Sequence, residues 1–245
     1  SKILKEDKGG GFWLWKSQII LQVLEKINDN DILFYLDSGS TLNINGKERL
    51  LEYFNILTNS DKDILLFRMP TLIEKNWTTK EVFQYFNVDK NKEITDTVQC
   101  LGGIIFAKKT KGTIDFFNEF QKTIQDDPNL ITNYYDQNQH SKFIEGRHDQ
   151  SILSVMAKSK DCLIIDDESY FFVEPNISQN KDQFKYPILT VRDGKYNNWQ
   201  KLKYYFLYPI NKRKVIFFNQ PPYYFKNKNT VYHKLISAFF KKFSS

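Results

Sequence analysis

Two cysteines in 245 residues, Cys100 and Cys162, are too few for a disulfide framework. Both sit beside apolar, strand-like runs, so they are expected to be reduced and buried, which favours a cytosolic or cytosol-facing location. No apolar run approaches the ~20 residues that a membrane-spanning helix needs. No signal peptide is visible, but the chain opens on Ser1 and not on Met, which leaves a targeting segment ahead of it open. There is no internal repeat. Acidic residues vanish after Asp193: residues 176–245 carry 14 Lys/Arg against Asp182 and Asp193, a net charge of +12. Residues 1–175 carry 21 basic and 27 acidic side chains, a net charge of −6. The chain therefore reads as an acidic-to-neutral body, 1–175, followed by a basic extension, 176–245. With 41% hydrophobic and 26% charged residues, disorder is excluded as the general state, and the length suits one large domain with an appendage. The aromatic content of 16% is high and requires a use.

Short apolar runs alternate with amphipathic ones. Trp15 to Ile27 places Ile19, Ile20, Val23, Leu24 and Ile27 at helical spacing. Ile32–Leu36 reads as a buried strand ended by Asp37, and Asp63–Phe67 as a second. Thr78 or Thr79 is positioned to cap a helix through Val82, Phe83 and Phe86. Gln99–Ala107 reads as a strand interrupted by a glycine pair. Gly112–Ile124 is a helix with Phe116, Phe117, Phe120 and Ile124 on one face. A polar loop spans Asp126 to Glu145, a length at which loops are often functional. Asp149–Lys158 reads as a helix and Cys162–Ile165 as a strand running into Asp166. Strands alternating with helices predict an α/β fold with a mainly parallel sheet flanked by helices.

The stretch "DILFYLDSGSTLN", Asp31 to Asn43, places a carboxylate at the carboxyl end of an apolar strand, where open α/β sheets bind ligands. Ser38 and Gly39 let the chain turn and let a ligand approach the backbone. Asp37 admits three readings. It could anchor a hard divalent cation that bridges diphosphate oxygens. It could be the aspartyl nucleophile of a haloacid-dehalogenase-like phosphatase, although Gly39 stands where that motif, D-x-D-x-T, has its second Asp. It could simply close a turn. Downstream, "QCLGGIIFAKK" contains Gly102-Gly103, whose plain reading is a β-bulge. "EGRHDQSILSVMAKS" places Arg147, His148, Asp149 and Gln150 at a helix start, where a carboxylate favours the dipole and free amides can hold an anion.

Taken in order, "GGGFWLWKSQIILQVL", "DILFYLDSGSTLN", "EKNWTTKEVF", "TVQCLGGIIFAKK" and "RHDQSILSVMAKS" resemble blocks of nucleotide-sugar glycosyltransferases of the GT-A fold. Such enzymes occur in bacterial surface-polysaccharide loci and in some large viruses. The order also resembles retaining family-eight-type transferases, with a D-x-D block, a glycine block and then D-Q-x-x-L. The resemblance spans Gly9 to Asp167. It implies a Rossmann-like α/β domain and a Mn²⁺ or Mg²⁺ ion held through Asp37, with Gly39 replacing the usual second carboxylate. It implies that Gly102 and Gly103 line the sugar-donor pocket, joined by Ser38, Gly39, Arg147 and His148. Asp149 and Gln150 would lie beside the transferred sugar as the catalytic pair. Trp15 and Lys16 would pack near the nucleotide, with Lys16 meeting a phosphate. Trp77 is expected in the core or as an acceptor platform. The late metal-binding His of many such enzymes has no clear match, and His233 lies far out in the basic extension. A first βα unit normally precedes the block that starts here at Gly9, so one such unit is expected to be lacking.

The reading that results is a hexosyltransferase moving a sugar from a nucleoside-diphosphate donor to a glycan or lipid-linked glycan, with retention of configuration. The alternatives are a phosphatase using Asp37, or a non-catalytic glycan- or membrane-binding module. The extension interleaves Tyr and Phe with Lys and Arg, as at Tyr204, Phe217, Tyr224 and Phe240. That composition suits peripheral attachment to an anionic cytoplasmic membrane face. Nucleic acid is not the expected partner, because no DNA- or RNA-binding signature is present.

Overall fold

Asp31 and Asp37 bracket an unbroken apolar run, and this run forms strand β1 (Ile32–Leu36) with the predicted limits. In the computed structural model, residues 2–169 and 186–190 are described. The other strands are β2 (Ser40–Leu42), β3 (Ile64–Ile73), β4 (Val98–Lys108), β5 (Leu163–Asp166) and β6 (Ile188–Thr190). The longer helices are α2 (Lys16–Leu24), α3 (Lys47–Thr58), α5 (Lys80–Tyr85), α7 (Lys111–Asp126) and α8 (Asp149–Ser159). Single turns form α1 (Gly9–Phe12), α4 (Glu74–Trp77) and α6 (Lys92–Thr95).

Four strands make one sheet in the order β1-β4-β3-β5. β4 runs antiparallel to both neighbours, and only β3 and β5 pair in parallel. The sheet is thus mixed, which corrects the expected mainly parallel one. Between β3 and β4 lie only α4, α5 and α6, none longer than six residues, and β4 returns against β3 instead of crossing over. β1, β3 and β5 still point the same way, so their carboxyl ends share one edge, with Asp37 just beyond β1.

Helices cover both faces. Along β1, Phe34 faces α3, where Phe34, Tyr53, Phe54, Phe67 and Phe106 form an aromatic layer; the Phe34 and Phe106 rings stack at 4.5 Å. Leu33 faces the opposite way, joining Ile20, Leu24, Ile105, Phe117, Ile152 and Val155 beneath α2, α7 and α8. With both faces buried, β4 reads as a near-continuous apolar run and not as an alternating one. Part of the aromatic content is used here, in packing. On α7 the four predicted apolar residues are all buried, and the Thr110 side chain caps the helix by accepting from the Thr113 N–H.

The ladder between β3 and β4 breaks where the glycine pair lies. Leu66 pairs with Ile105, but Arg68 already pairs with Cys100, so Leu101 to Ile104 have no regular partner on β3. On the other side β4 pairs with β1 only as far as Ile104, opposite Leu36, with one further bond from the Asp37 N–H to the Gly103 carbonyl at 2.9 Å. Leu101 and Gly102 therefore have no regular strand partner on either side.

Several expectations shift. α2 is shorter than 15–27, and its apolar residues divide: Ile20, Leu21 and Leu24 are buried, while Ile19 and Val23 are 43% and 39% exposed. Among the described residues β1 has one partner only, and no strand precedes it. Because Asp37 and Asp31 hydrogen-bond toward β4, the backbone groups of Ile32, Phe34 and Leu36 face the other way. β6 pairs antiparallel with β2, so the first compact unit, Ser1–Val191, extends beyond the expected limit at residue 175. The second unit, Arg192–Ser245, with His233 and most of the basic extension, lies outside the described residues. Both cysteines are free; Cys100 is buried, whereas Cys162 is half-buried. Among the described residues no helix is long and apolar enough to cross a membrane.

Candidate functional site

Lysine is rarely buried without a partner, yet Lys16, in the first turn of α2, is only 3% exposed. Its ammonium contacts the Asp149 carboxylate, donates to the Gly102 carbonyl at 2.9 Å and lies 3.6 Å from Asp37 Oδ1. The Tyr35 ring is 5.3 Å from it, and the Tyr35 hydroxyl donates to Asp37 Oδ1 at 2.8 Å. Five of the residues singled out in the sequence, from four separate segments, thus meet around one ammonium once Gly103 is included. Asp149 is 5% exposed. Burial pushes its carboxyl above the ordinary carboxylate range, the neighbouring Lys16 opposes that rise, and repulsion from Asp37 adds to it. Burial, then the Asp37 charge, raises the Tyr35 phenol. Asp37 itself stays 40% exposed at the sheet edge.

The open side of β4 explains how the cluster is assembled. Backbone groups that β3 does not take are met by side chains instead. The Cys100 N–H donates to Ser154 Oγ at 2.7 Å, the Gly102 N–H to Gln150 Oε1 at 3.1 Å, and the Gly102 carbonyl accepts from Lys16. The glycines are required by space. A Cβ on Gly103 would stand 2.7 Å from Asp37 Oδ2, and one on Gly102 would stand 3.0 Å from the Gln150 Cβ.

Behind Gln150 runs a buried polar chain. Gln150 Nε2 donates to Gln99 Oε1 at 2.8 Å, and Gln99 Nε2 donates to Thr78 Oγ1 at 2.8 Å. Thr78 donates in turn to Glu74 Oε2 at 2.7 Å. Glu74 is fully buried, and its other oxygen accepts from Ser154 Oγ and from Lys158 Nζ. Gln99 Nε2 also reaches the Trp77 carbonyl at 3.2 Å and Ser151 Oγ at 3.4 Å, and this chain supports the Gln150 amide from the back.

Other predicted residues lie elsewhere. Arg147 stacks over the Trp77 ring at 4.2 Å. His148 is buried against Phe12 and Trp13, and its Nδ1–H donates to the Ile131 carbonyl at 2.8 Å. Among the described residues its Nε2 has no partner, and burial lowers the imidazole's affinity for a proton. Among the described residues this ring packs into the Phe12–Trp13 turn and makes none of the contacts around Lys16. Trp15 turns its indole N–H back to the Gly9 carbonyl at 2.9 Å. Ser38 and Gly39 are exposed in the turn after Asp37. A phosphate contact is expected of Lys16, but its ammonium points inward. Tyr35, Gln99 and Glu74 carry no motif that singles them out in the sequence; for Tyr35 the one signal is the alternation that puts it on the Asp37 side of β1.

The turn that brings Phe12 and Trp13 to His148 has an unusual backbone. Gly9, Gly10, Gly11, Phe12 and Trp13 all have φ between 55° and 93°. They form one turn wound left-handed, which the glycine triplet permits. At Gly9 even a methyl would strike the Trp13 indole, at 2.4 Å.

The donor set does not suit a resident Mn²⁺ or Mg²⁺ ion. Among the described residues no group of three or more His, Cys, Asp or Glu side chains converges. The space between Asp37 and Asp149 is taken by an ammonium, and the position of the expected second carboxylate is Gly39. No family model matches this chain, and neither a curated protein nor a solved structure does.

Proposed function

We propose that this protein is a nucleotide-sugar glycosyltransferase of GT-A type, moving a hexose from a nucleoside-diphosphate donor to a hydroxyl of a glycan or lipid-linked glycan. The observation that carries the reading is the meeting of Lys16, Asp37, Gly102, Gly103, Asp149 and Gln150 at the carboxyl edge of the sheet. These residues come from four of the five sequence blocks that resemble such enzymes. In the reaction the bond from sugar C1 to the diphosphate oxygen breaks. A bond from the acceptor oxygen to C1 forms, and the acceptor hydroxyl gives its proton to the released diphosphate. The two glycines let Asp37 and Gln150 pack closely against β4, and the donor would approach at the exposed side of Asp37. Gln150, held by its buried chain, and Asp149 are the polar groups behind Asp37. Lys16 reduces the net charge of the two carboxylates from −2 to −1, which lessens their repulsion of an incoming diphosphate. The D-Q-x-x-L order supports retention of configuration.

The test is turnover of a panel of UDP- and GDP-sugars by the full chain. Asp37→Ala is expected to abolish it while thermal unfolding stays close to wild type, because Asp37 is half-exposed. Hydrolysis of phosphomonoesters with a trapped aspartyl-phosphate would move Asp37 to the phosphatase class instead. Glycan binding with no turnover on any donor would favour the binding module.

The basic extension suits an anionic membrane surface that presents lipid-linked acceptors. Co-sedimentation with phosphatidylserine vesicles is expected to fall as salt rises, since each Lys or Arg near such a surface contributes about 1 kcal/mol and is screened. Equal pelleting with neutral vesicles at high salt would sink the electrostatic account.

A further inference from the structure

We infer that the Lys16 ammonium is the resident cation of the site, filling the position between Asp37 and Asp149 that a divalent metal ion would otherwise hold. Its surroundings are those of a hard cation: a carboxylate from Asp149, a carbonyl from Gly102 and a second carboxylate, Asp37, at 3.6 Å. These are the oxygen types that Mg²⁺ and Mn²⁺ take. An ammonium has three N–H donors and no acceptor, so this oxygen set satisfies it as well. The side chain is 3% exposed, which excludes a lysine that merely rests its stem on the protein and keeps its charge in water.

Access for a second cation is closed from several sides. The Tyr35 hydroxyl occupies Asp37 Oδ1, and its ring lies 5.3 Å from the ammonium. Gly103 sits directly beneath Asp37 Oδ2. No third carboxylate or imidazole converges among the described residues. A divalent ion entering this space would meet a fixed positive charge at a few ångströms in a poorly solvated setting, where like charges repel strongly. The lysine is also anchored from the chain side. Trp15, immediately before it, is tied to Gly9, and Ser17, immediately after it, is buried. The ammonium is therefore held by the fold and is not a mobile counter-ion. The charge that holds the two carboxylates together belongs to the polypeptide and cannot be removed by a chelator.

The test is a Mn²⁺ titration of the full chain followed by electron paramagnetic resonance, with no donor present, so its outcome is separate from that of the transferase reading. Wild type is expected to show no Mn²⁺ site that depends on Asp149. Lys16→Met should leave two facing carboxylates and bind one Mn²⁺ on the order of ten-fold tighter than wild type. The double variant Lys16→Met/Asp149→Asn should return to the wild-type level. A folded Lys16→Met protein with no gain in affinity overturns the proposal. If Lys16→Met folds only when Mn²⁺ is supplied, the ion has replaced the ammonium and the proposal stands. If it does not fold at all, wild type against Asp149→Asn and Asp37→Asn decides. A tight wild-type Mn²⁺ site lost in either variant overturns the proposal, and affinity unchanged in both supports it.

Discussion

Replacing Glu74 by alanine is expected to cost about 3–5 kcal/mol of folding stability, the range for breaking a buried ion pair from one side. Urea unfolding of the two proteins measures it. Glu74 has no exposed surface, and its carboxylate accepts from Ser154, Thr78 and Lys158. Removing it strands the Lys158 ammonium, 11% exposed, with Thr97 Oγ1 at 3.0 Å as its one remaining partner among the described residues. It also frees Thr78, and with Thr78 the chain of amides that orients Gln150. A second, functional effect is therefore expected: the alanine variant should lose turnover at temperatures where it is still folded. The double variant Glu74→Ala/Lys158→Met should recover part of the stability, because the stranded charge is gone, but not the turnover. A loss below about 1 kcal/mol, the value of an exposed pair, would show that water already reaches this carboxylate.

Gly103→Ala is expected to lower sugar-transfer turnover about 100-fold, the scale on which a displacement of about 1 Å in a reacting group acts. The added methyl would stand 2.7 Å from Asp37 Oδ2 and 3.1 Å from its Cγ, so the carboxylate has to swing away from its place. Asp37 is half-exposed and can move outward, so thermal stability should change little. Gly39 supplies the contrast. A Cβ there meets nothing within 4 Å, and Gly39→Ala is expected to be close to silent. Turnover within about three-fold of wild type in Gly103→Ala, alongside an inactive Asp37→Ala, would break the link between the glycine and the carboxylate.

The elements legible in the sequence are those fixed by local pattern. β1 is a short apolar run between two aspartates, α7 carries four apolar residues at helical spacing behind a threonine cap, and α8 opens on Asp149. Asp37, Gly103 and Asp149 are legible because each is an unusual residue at a strand end, mid-strand or helix start. The direction of β4 is not, since strand pairing is a long-range choice and its run of buried residues suits a parallel or an antiparallel neighbour equally. Lys16 reads as a phosphate contact and Glu74 as an ordinary solvated charge, each in the first turn of a helix. Only the three-dimensional pairing of Lys16 with Asp149, 133 positions away, and of Glu74 with Lys158, 84 positions away, makes them interior residues. The place of His148 is hidden for a similar reason. Its backbone φ of 53° turns the ring away from Asp149 and into the Phe12–Trp13 turn.

That turn has a consequence for chirality. A glycine is superimposable on its mirror image, so Gly9, Gly10 and Gly11 carry no preference of hand, and a left-handed turn is as open to them as a right-handed one. The hand is set instead by Phe12 and Trp13, whose side chains must reach His148, and both L-residues accept an unfavourable φ to do so. At Gly10 a D-amino acid would match the backbone better than any of the nineteen L-residues that could replace the glycine. Of the encoded residues, the achiral one is the only one that takes this hand without a steric cost.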